Sequence, residues 1–96
     1  MPYSLSTTNE VCPETFNYLS NIHDCEDAVP WIRSKYAPID RDVFEKNSND
    51  YPSGCYVVVS GSSKGIYFNA DSTNSPARLS SQVCIKGTLA DAFYKK

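Results

Sequence analysis

Residues 50–69, DYPSGCYVVVSGSSKGIYFN, carry the strongest structural signal in this sequence. Pro52 and Gly54 favour a turn in front of a run of β-branched and aromatic side chains, which is the composition of a strand. A five-residue loop with a glycine at each end, residues 61–65, then leads into a second strand-like run. We therefore predict a β-hairpin, in which alternating side chains share one buried face: Cys55, Val57 and Val59, opposite Ile66 and Phe68.

Length and composition limit what the rest of the chain can be. Its 96 residues are enough for one domain. The net charge of -2 argues against nucleic acid as a partner, because nucleic-acid binding needs a clustered basic surface. No stretch is apolar over the length of a membrane span, so we predict none. The seven tyrosines suit both a small core and an interaction surface, since tyrosine is amphipathic.

The four cysteines predict a protein stabilised by disulfides. They lie far apart along the chain, whereas zinc ligands come in close pairs such as C-x-x-C, and His23 is the only histidine. We therefore expect two disulfides, and neither a metal nor a cofactor. The cysteines are Cys12, Cys25, Cys55 and Cys84.

Disulfides in turn predict an oxidising location: extracellular, at the cell surface or in a virion. Residues 1–10 are nevertheless polar and lack the apolar core of a signal peptide. Three explanations are open: a mature domain with a new initiator methionine, export by another route, or an assembly with its own thiol oxidase, as in some large viruses.

The segment before the hairpin predicts helices. Pro13 opens a first helical stretch, with Phe16 and Leu19 at helical spacing. Asp24 is the predicted N-cap of a second helix. Pro30 lies opposite the apolar side of that helix, which either bends there or restarts. The apolar stripe consists of Cys25, Ala28, Val29, Ile32 and Tyr36.

The segments on either side of the hairpin are predicted to be mostly irregular. Residues 37–50 form a polar connector, in which Val43 and Phe44 make one apolar contact with the core. Residues 71–81 form a polar loop, and residues 82–86 alternate as a third short strand. The predicted fold is therefore α+β: one or two helices packed on a small antiparallel sheet of about three strands, with two disulfides.

We divide the chain into an N-terminal arm (residues 1–11), a disulfide-stapled module (residues 12–87) and a C-terminal short helix or tail (residues 88–96). The arm is interpreted either as disordered or as an extended segment that lies on a neighbouring subunit. Both ends carry apolar side chains that could anchor the chain to a neighbour: Tyr3, Leu5, Phe93 and Tyr94.

Four short motifs form a pattern together with the first cysteine: Asp-Cys-Glu-Asp-Ala at 24–28, Tyr-Pro-Ser-Gly-Cys-Tyr at 51–56, Ile-Tyr-Phe-Asn at 66–69 and Val-Cys-Ile at 83–85. This pattern resembles a small cysteine-stapled module of uncharacterised extracellular and surface proteins of microalgae. More loosely, a helix stapled to a small sheet is similar to the PAN/apple modules, which bind protein or carbohydrate. The long spacing from Cys12 to Cys25 and the presence of Pro30 depart from the usual pattern. The resemblance implies a secreted or surface module and no particular activity.

The positions of the cysteines favour one of the three possible pairings. Cys25 on the helical stripe is expected to meet Cys55 at the start of the hairpin, and Cys12 and Cys84 then close the module end to end. The other pairing considered, Cys12–Cys25 with Cys55–Cys84, would leave the helices tethered to the sheet by packing alone. In the loop-entropy model each bridge contributes about 3–5 kcal/mol.

No group of residues in the sequence predicts catalysis. His23 is expected to be solvated, Asp40 and Asp42 lack the glycine and ligand series of a calcium loop, and residues 61–65 lack the order of a phosphate loop. We therefore expect a non-enzymatic structural or interaction module, a small component of a larger extracellular, surface or capsid-like assembly that binds neighbouring protein subunits through its terminal arms. The alternative is a carbohydrate-binding module in which exposed tyrosines stack on a glycan: Tyr51, Tyr56 and Tyr67.

Overall fold

The computed structural model describes residues 3–13, 16–36 and 42–86. Over these residues the chain forms one α-helix and six β-strands, an α+β fold with more strands than the sequence predicts. In chain order the elements are β1 (Tyr3–Leu5), β2 (Phe16–Tyr18), α1 (Ile22–Lys35), β3 (Val43–Lys46), β4 (Gly54–Val58), β5 (Gly65–Asn69) and β6 (Ser80–Lys86).

The six strands form one mixed sheet, in place of the antiparallel sheet that was predicted. The strand order is β1-β6-β4-β5-β3, and β2 also pairs with β6. β3 runs parallel to β5, and the other ladders are antiparallel. β4 pairs with residues 80–82 of β6 and β2 with residues 84–86, so these two short strands follow one another along β6. The predicted third strand is therefore confirmed as part of β6, which begins inside the predicted loop.

The predicted hairpin is confirmed as β4 and β5. Cys55 lies opposite Phe68, and Val57 lies opposite Ile66, so the residues that the alternation placed on one face do pair with each other. Cys55, Val57 and Ile66 are fully buried. They form the core together with the buried side of α1 and with Val83 of β6. The core therefore lies between α1 and one face of the sheet.

α1 carries the predicted apolar stripe but begins earlier than predicted. Asn21 is the N-cap, and its side-chain oxygen accepts a hydrogen bond of 2.7 Å from the backbone N–H of His23. Asn and Asp are comparably good N-caps, so residue type alone did not distinguish Asn21 from Asp24. The helix continues through Pro30, which is exposed, and does not restart there. The buried side chains of the helix are Cys25, Ala28, Val29 and Ile32.

The helix predicted to open at Pro13 is wrong, because Phe16–Tyr18 forms β2 and pairs with β6. Phe and Tyr favour strands, and two apolar residues at helical spacing are too few to specify a helix. The chain leaving β2 passes close to the hairpin. A Cβ atom on Gly54 would overlap the carbonyl oxygen of Leu19, and Gly54 has a φ of 69°, which favours glycine.

Two other segments predicted to be irregular also contain strands. In the predicted N-terminal arm, Tyr3–Leu5 pairs as β1 with β6 of the same chain, so these residues are not a free arm. In the predicted connector, Val43–Lys46 is β3. Val43 packs against the core as predicted, whereas Phe44 is 46 % exposed. The helix or tail predicted for residues 88–96 lies outside the described residues.

Two disulfides tie α1 and the segment before β2 to the sheet. Cys25 of α1 is bonded to Cys55 of β4, with an S–S distance of 2.05 Å. Cys12 is bonded to Cys84 of β6, with an S–S distance of 2.01 Å. This is the favoured pairing, and it leaves no free cysteine. The helix is therefore linked covalently to the hairpin.

Nothing in residues 3–13, 16–36 or 42–86 is a helix with the length and apolarity needed to cross a membrane. α1 has 14 residues, and its exposed side is charged.

Candidate functional site

The face of the sheet that points away from α1 carries a row of aromatic rings. Successive side chains of a strand alternate between faces, so Tyr56 points away from the core that its neighbours in β4 form. Tyr56 lies opposite Tyr67, which lies opposite Phe44. The ring centroids are 5.2 Å apart for Tyr56 and Tyr67, and 5.7 Å apart for Phe44 and Tyr67. Tyr51 stacks on Tyr56 at 5.8 Å. We call these four residues the aromatic row.

The rings of the aromatic row differ in exposure. Tyr56 is fully buried, so the prediction that it is an exposed binding residue is wrong. Tyr51 and Tyr67 are half-buried, and Phe44 is the one large hydrophobic side chain classed as exposed within the described ranges. A partner on this face would therefore contact Phe44, Tyr67 and Tyr51, with Tyr56 as the support beneath them.

The hydroxyl group of Tyr56 is buried and has no hydrogen-bond partner among the described residues. Burial raises the pKa of this phenol, and the neighbouring Tyr51 and Tyr67 raise it further. Tyr56 therefore keeps its proton in the folded protein at a pH where an ordinary phenol ionises. Its ring supplies stacking area, and its hydroxyl is a source of instability because a buried polar group without a partner loses its hydration.

Lys46 gives the aromatic row a positive charge. Its side chain leaves β3 on the same face as Phe44, two residues away. The Nζ atom lies 4.2 Å from the ring centroid of Tyr51 and 5.9 Å from that of Tyr67. A cation over aromatic rings at these distances is stabilised by about 0.5–1 kcal/mol at an accessible site. The accessible part of the row is therefore aromatic and cationic together.

The loop that carries Tyr51 is held in place by Asn69 at the end of β5. Asn69 is 2 % exposed. Its Nδ2 group donates to the carbonyl oxygens of Ser48, Tyr51 and Pro52 at 2.8, 3.2 and 3.0 Å. Its Oδ1 atom accepts from the backbone N–H of Ser48 at 2.9 Å. One buried amide therefore fixes the backbone that places Tyr51 over Tyr56.

Gln82 of β6 has a similar role on the other side of Tyr56, which it faces across the ladder. Its Nε2 group donates to the carbonyl oxygen of Ser53 at 2.7 Å and to Oδ1 of Asn74 at 2.6 Å. Its Oε1 atom accepts from the backbone N–H of Cys12 at 2.7 Å. Three separate parts of the chain are therefore tied to this one buried side chain, and the outer face is well ordered around the aromatic row.

A depression with a volume of about 300 Å³ lies beside Tyr51. Its walls include Arg78, several serines and the apolar Val58 and Leu79, and Tyr51 supplies an aromatic side. A site of this kind offers stacking and hydrogen bonds to a small polar ligand. The hydroxyl-bearing residues are Ser60, Ser62, Ser63 and Ser80.

Two of the residues predicted to anchor the chain ends, Tyr3 and Leu5, contact other parts of the fold. Tyr3 packs on Trp31 of α1, with ring centroids 5.5 Å apart, and Leu5 packs against the core. Both therefore contact their own chain. Phe93 and Tyr94 lie outside the described residues, so the role predicted for them stays a prediction.

The only histidine, His23, lies on the surface next to a carboxylate. His23 Nδ1 lies 3.4 Å from Glu26 Oε1, and both side chains are mostly exposed. No group of three or more potential metal ligands occurs in the described part of the chain.

Sequence reasoning missed the residues that organise the outer face. Asn69 and Gln82 were assigned to strands without a role, and Lys46 was placed in a connector. One signal was available for Asn69, because an amide at the end of an otherwise apolar strand must find partners if it is buried. No comparable signal identified Gln82, whose partners lie in distant segments.

No family model, curated protein or solved structure matches this chain. The resemblance to microalgal surface modules and to PAN/apple modules therefore stays a prediction.

Proposed function

We propose that the chain is a non-enzymatic structural or interaction module, a small component of a larger extracellular, surface or capsid-like assembly. The observation that carries this proposal is the accessible part of the aromatic row: Phe44 and Tyr67 beside the ammonium group of Lys46. Aromatic side chains are enriched at protein interfaces because they bury a large area at a low cost in conformational entropy. The two disulfides are compatible with an oxidising environment.

The contact surface in this proposal is the outer face of the sheet. Tyr3 and Leu5, which were expected to reach a neighbour, contact their own chain. Rigid support for the row comes from Asn69, whose hydrogen bonds fix the loop of Tyr51. A pre-ordered surface loses little entropy on binding, which favours assembly.

Lysine-reactive cross-linking of the native protein in its source tests the proposal. Lys64 is exposed in the hairpin loop next to β5, whereas Lys35 lies at the end of α1 on the other layer. We expect cross-links to other proteins at Lys64 and few at Lys35. Cross-links confined to Lys95 and Lys96 would show that the contact lies in the C-terminal tail and not on the outer face. A monodisperse monomer without cross-links would contradict the proposal.

A carbohydrate-binding module is the second candidate, and the depression beside Tyr51 favours it. A sugar ring could stack on Tyr51 while its hydroxyl groups bond to Arg78 and the surrounding serines. A glycan array probed with the wild type and with Tyr51→Ala tests this candidate. Binding by the wild type that Tyr51→Ala abolishes would support it, and an array without hits would remove it.

A further inference from the structure

β3 is the last strand at one side of the sheet. Its inner edge pairs with β5, and no strand of the described residues pairs with its outer edge. The backbone N–H and C=O groups on such an edge are free to pair with another strand. Phe44 stands in the middle of this strand and is 46 % exposed.

The sequence of β3, taken together with Asp42 just before it, is complementary to itself. Asp42-Val43-Phe44-Glu45-Lys46 has an acidic residue at one end and a basic residue at the other. In an antiparallel pair of two copies centred on Phe44, each Asp42 lies opposite Lys46 of the second copy, and the two Phe44 rings lie opposite each other. Opposite charges and aromatic pairs directly across an antiparallel ladder are both stabilising.

Other registers fit less well. A shift by one residue would join the aromatic face of one copy to the core-side face of the other, because side chains alternate with a period of two. A pairing centred on Glu45 would place two carboxylates opposite each other, which is destabilising. The register centred on Phe44 avoids both problems and keeps both aromatic rows on one side.

We propose that two copies of this chain pair through antiparallel β3 strands in the register centred on Phe44. The result is a two-fold dimer with one continuous sheet, in which the two aromatic rows meet at the Phe44 pair. This inference rests on the proposed function and names one neighbour in the assembly, a second copy of the same chain.

The dimer is expected to be weak in isolation. Two strands of about five residues bury much less area than the ~1,200 Å² of a small stable interface. Asp42 is exposed and Lys46 is half-buried, so salt screens the attraction between them. We therefore expect association that grows with protein concentration and weakens as ionic strength rises.

Analytical ultracentrifugation of charge variants at low ionic strength tests the register. Asp42→Lys alone and Lys46→Asp alone each place like charges opposite one another in a homodimer, so each should weaken dimerisation by about tenfold or more. An equimolar mixture of the two variants restores two opposite-charge pairs and should dimerise again. The double variant Asp42→Lys/Lys46→Asp should also recover.

The mixture separates pairing from effects within one chain. Lys46→Asp also removes the cation from the rings of Tyr51 and Tyr67. Mixing cannot restore that contact, so recovery in the mixture reports the contact between chains. Asp27→Lys on the exposed side of α1 makes the same charge change away from β3 and should dimerise like the wild type. Circular dichroism checks that each variant is folded.

Two outcomes would overturn the proposed pairing. One is a wild-type protein that stays monomeric at millimolar concentration. The other is a dimer that survives both single charge changes, because this would place the contact elsewhere. Neither outcome removes the proposed function, since cross-links from Lys64 to different proteins would still support a module that binds other subunits.

Discussion

The ring of Tyr56 supports the aromatic row, whereas its buried hydroxyl group destabilises the fold. Its ring joins Tyr51 to Tyr67 in the aromatic row, at 5.8 and 5.2 Å. Its hydroxyl, however, is buried without a partner among residues 3–13, 16–36 and 42–86. Stacking on two neighbouring rings requires an aromatic side chain at this position. Removal of the hydroxyl group tests whether it is buried without a partner.

Replacing Tyr56 by Phe is expected to raise the free energy of unfolding by about 1 kcal/mol. The substitution keeps the stacked ring and removes a buried polar atom whose desolvation is uncompensated. Urea denaturation of the wild type and Tyr56→Phe measures the difference. Tyr36→Phe, at the end of α1, controls for the loss of a phenol in general. A destabilised Tyr56→Phe would show that the hydroxyl does have a partner.

The same phenol predicts a loss of stability in alkali. The pKa of Tyr56 is raised above the value of 10.0 that it has without the protein environment. Ionisation of this phenol therefore leaves the free energy of unfolding unchanged below about pH 10. Above that pH the free energy of unfolding falls, because the unfolded chain releases this proton and the folded chain keeps it. Between pH 9 and pH 11.5, the free energy of unfolding should fall less for Tyr56→Phe than for the wild type. Equal losses would contradict the burial of this phenol.

Gly54 is the second residue at which a substitution has a predictable effect on stability. Gly54→Ala should lower the free energy of unfolding by about 2–4 kcal/mol, since the new Cβ atom would overlap the backbone of Leu19 at a positive φ. Gly65→Ala is the matched control, because its Cβ atom would make ordinary contacts of 3.7 Å with Phe44 and Tyr67. The midpoint of thermal unfolding should therefore be much lower for Gly54→Ala than for Gly65→Ala. Similar melts would mean that β2 and β4 do not meet end to end.

At the scale of elements, the strongly patterned segments were predicted and the short ones were not. The hairpin and its buried face follow from alternating side chains around a glycine-bounded loop. The stripe of α1 follows from helical spacing. β1, β2 and β3 have only three or four residues each, and they exist because distant parts of the chain offer hydrogen bonds to them. Local sequence does not reveal such distant partners. Phe16–Tyr18 was therefore predicted as helix although it pairs with β6.

The same limit applies to the candidate site. The sequence predicted all three tyrosines to be exposed, whereas Tyr51 and Tyr67 are half-buried and Tyr56 is fully buried. Whether a tyrosine on the outer face is exposed depends on the loops that cover it. Here Asn69 holds the covering loop through bonds to Ser48 and Tyr51, and these contacts cannot be inferred from local pattern.

The loop before β4 should therefore depend on Asn69. Asn69→Ala is expected to lower the free energy of unfolding by about 2–3 kcal/mol, because several buried backbone groups lose their partner. Hydrogen exchange should speed up at the backbone N–H of Ser48, which now donates to Asn69 Oδ1 at 2.9 Å. Asn47→Ala, an exposed residue of the same loop, is the matched control. Unchanged exchange at Ser48 would contradict the anchoring role.

At the scale of the whole molecule, one disulfide links the helix to the sheet, and the other links the segment before β2 to β6. One closes a sequence separation of 30 residues between α1 and β4, and the other closes 72 residues between the segment before β2 and β6. Each stabilises the fold by about 3–5 kcal/mol in the loop-entropy model. This is comparable to the net stability of a domain of this size, which is about 5–15 kcal/mol. The covalent links therefore allow a small core to support an outer face that is free for contacts.

Peptide mapping of the non-reduced protein tests this architecture most directly. Cleavage after basic residues and after glutamate separates all four cysteines, since Glu14 lies between Cys12 and Cys25. We expect residues 11–14 to be linked to residues 79–86, and residues 15–26 to be linked to residues 47–64. Four reactive thiols in the folded protein, or a link between residues 11–14 and 15–26, would contradict the account.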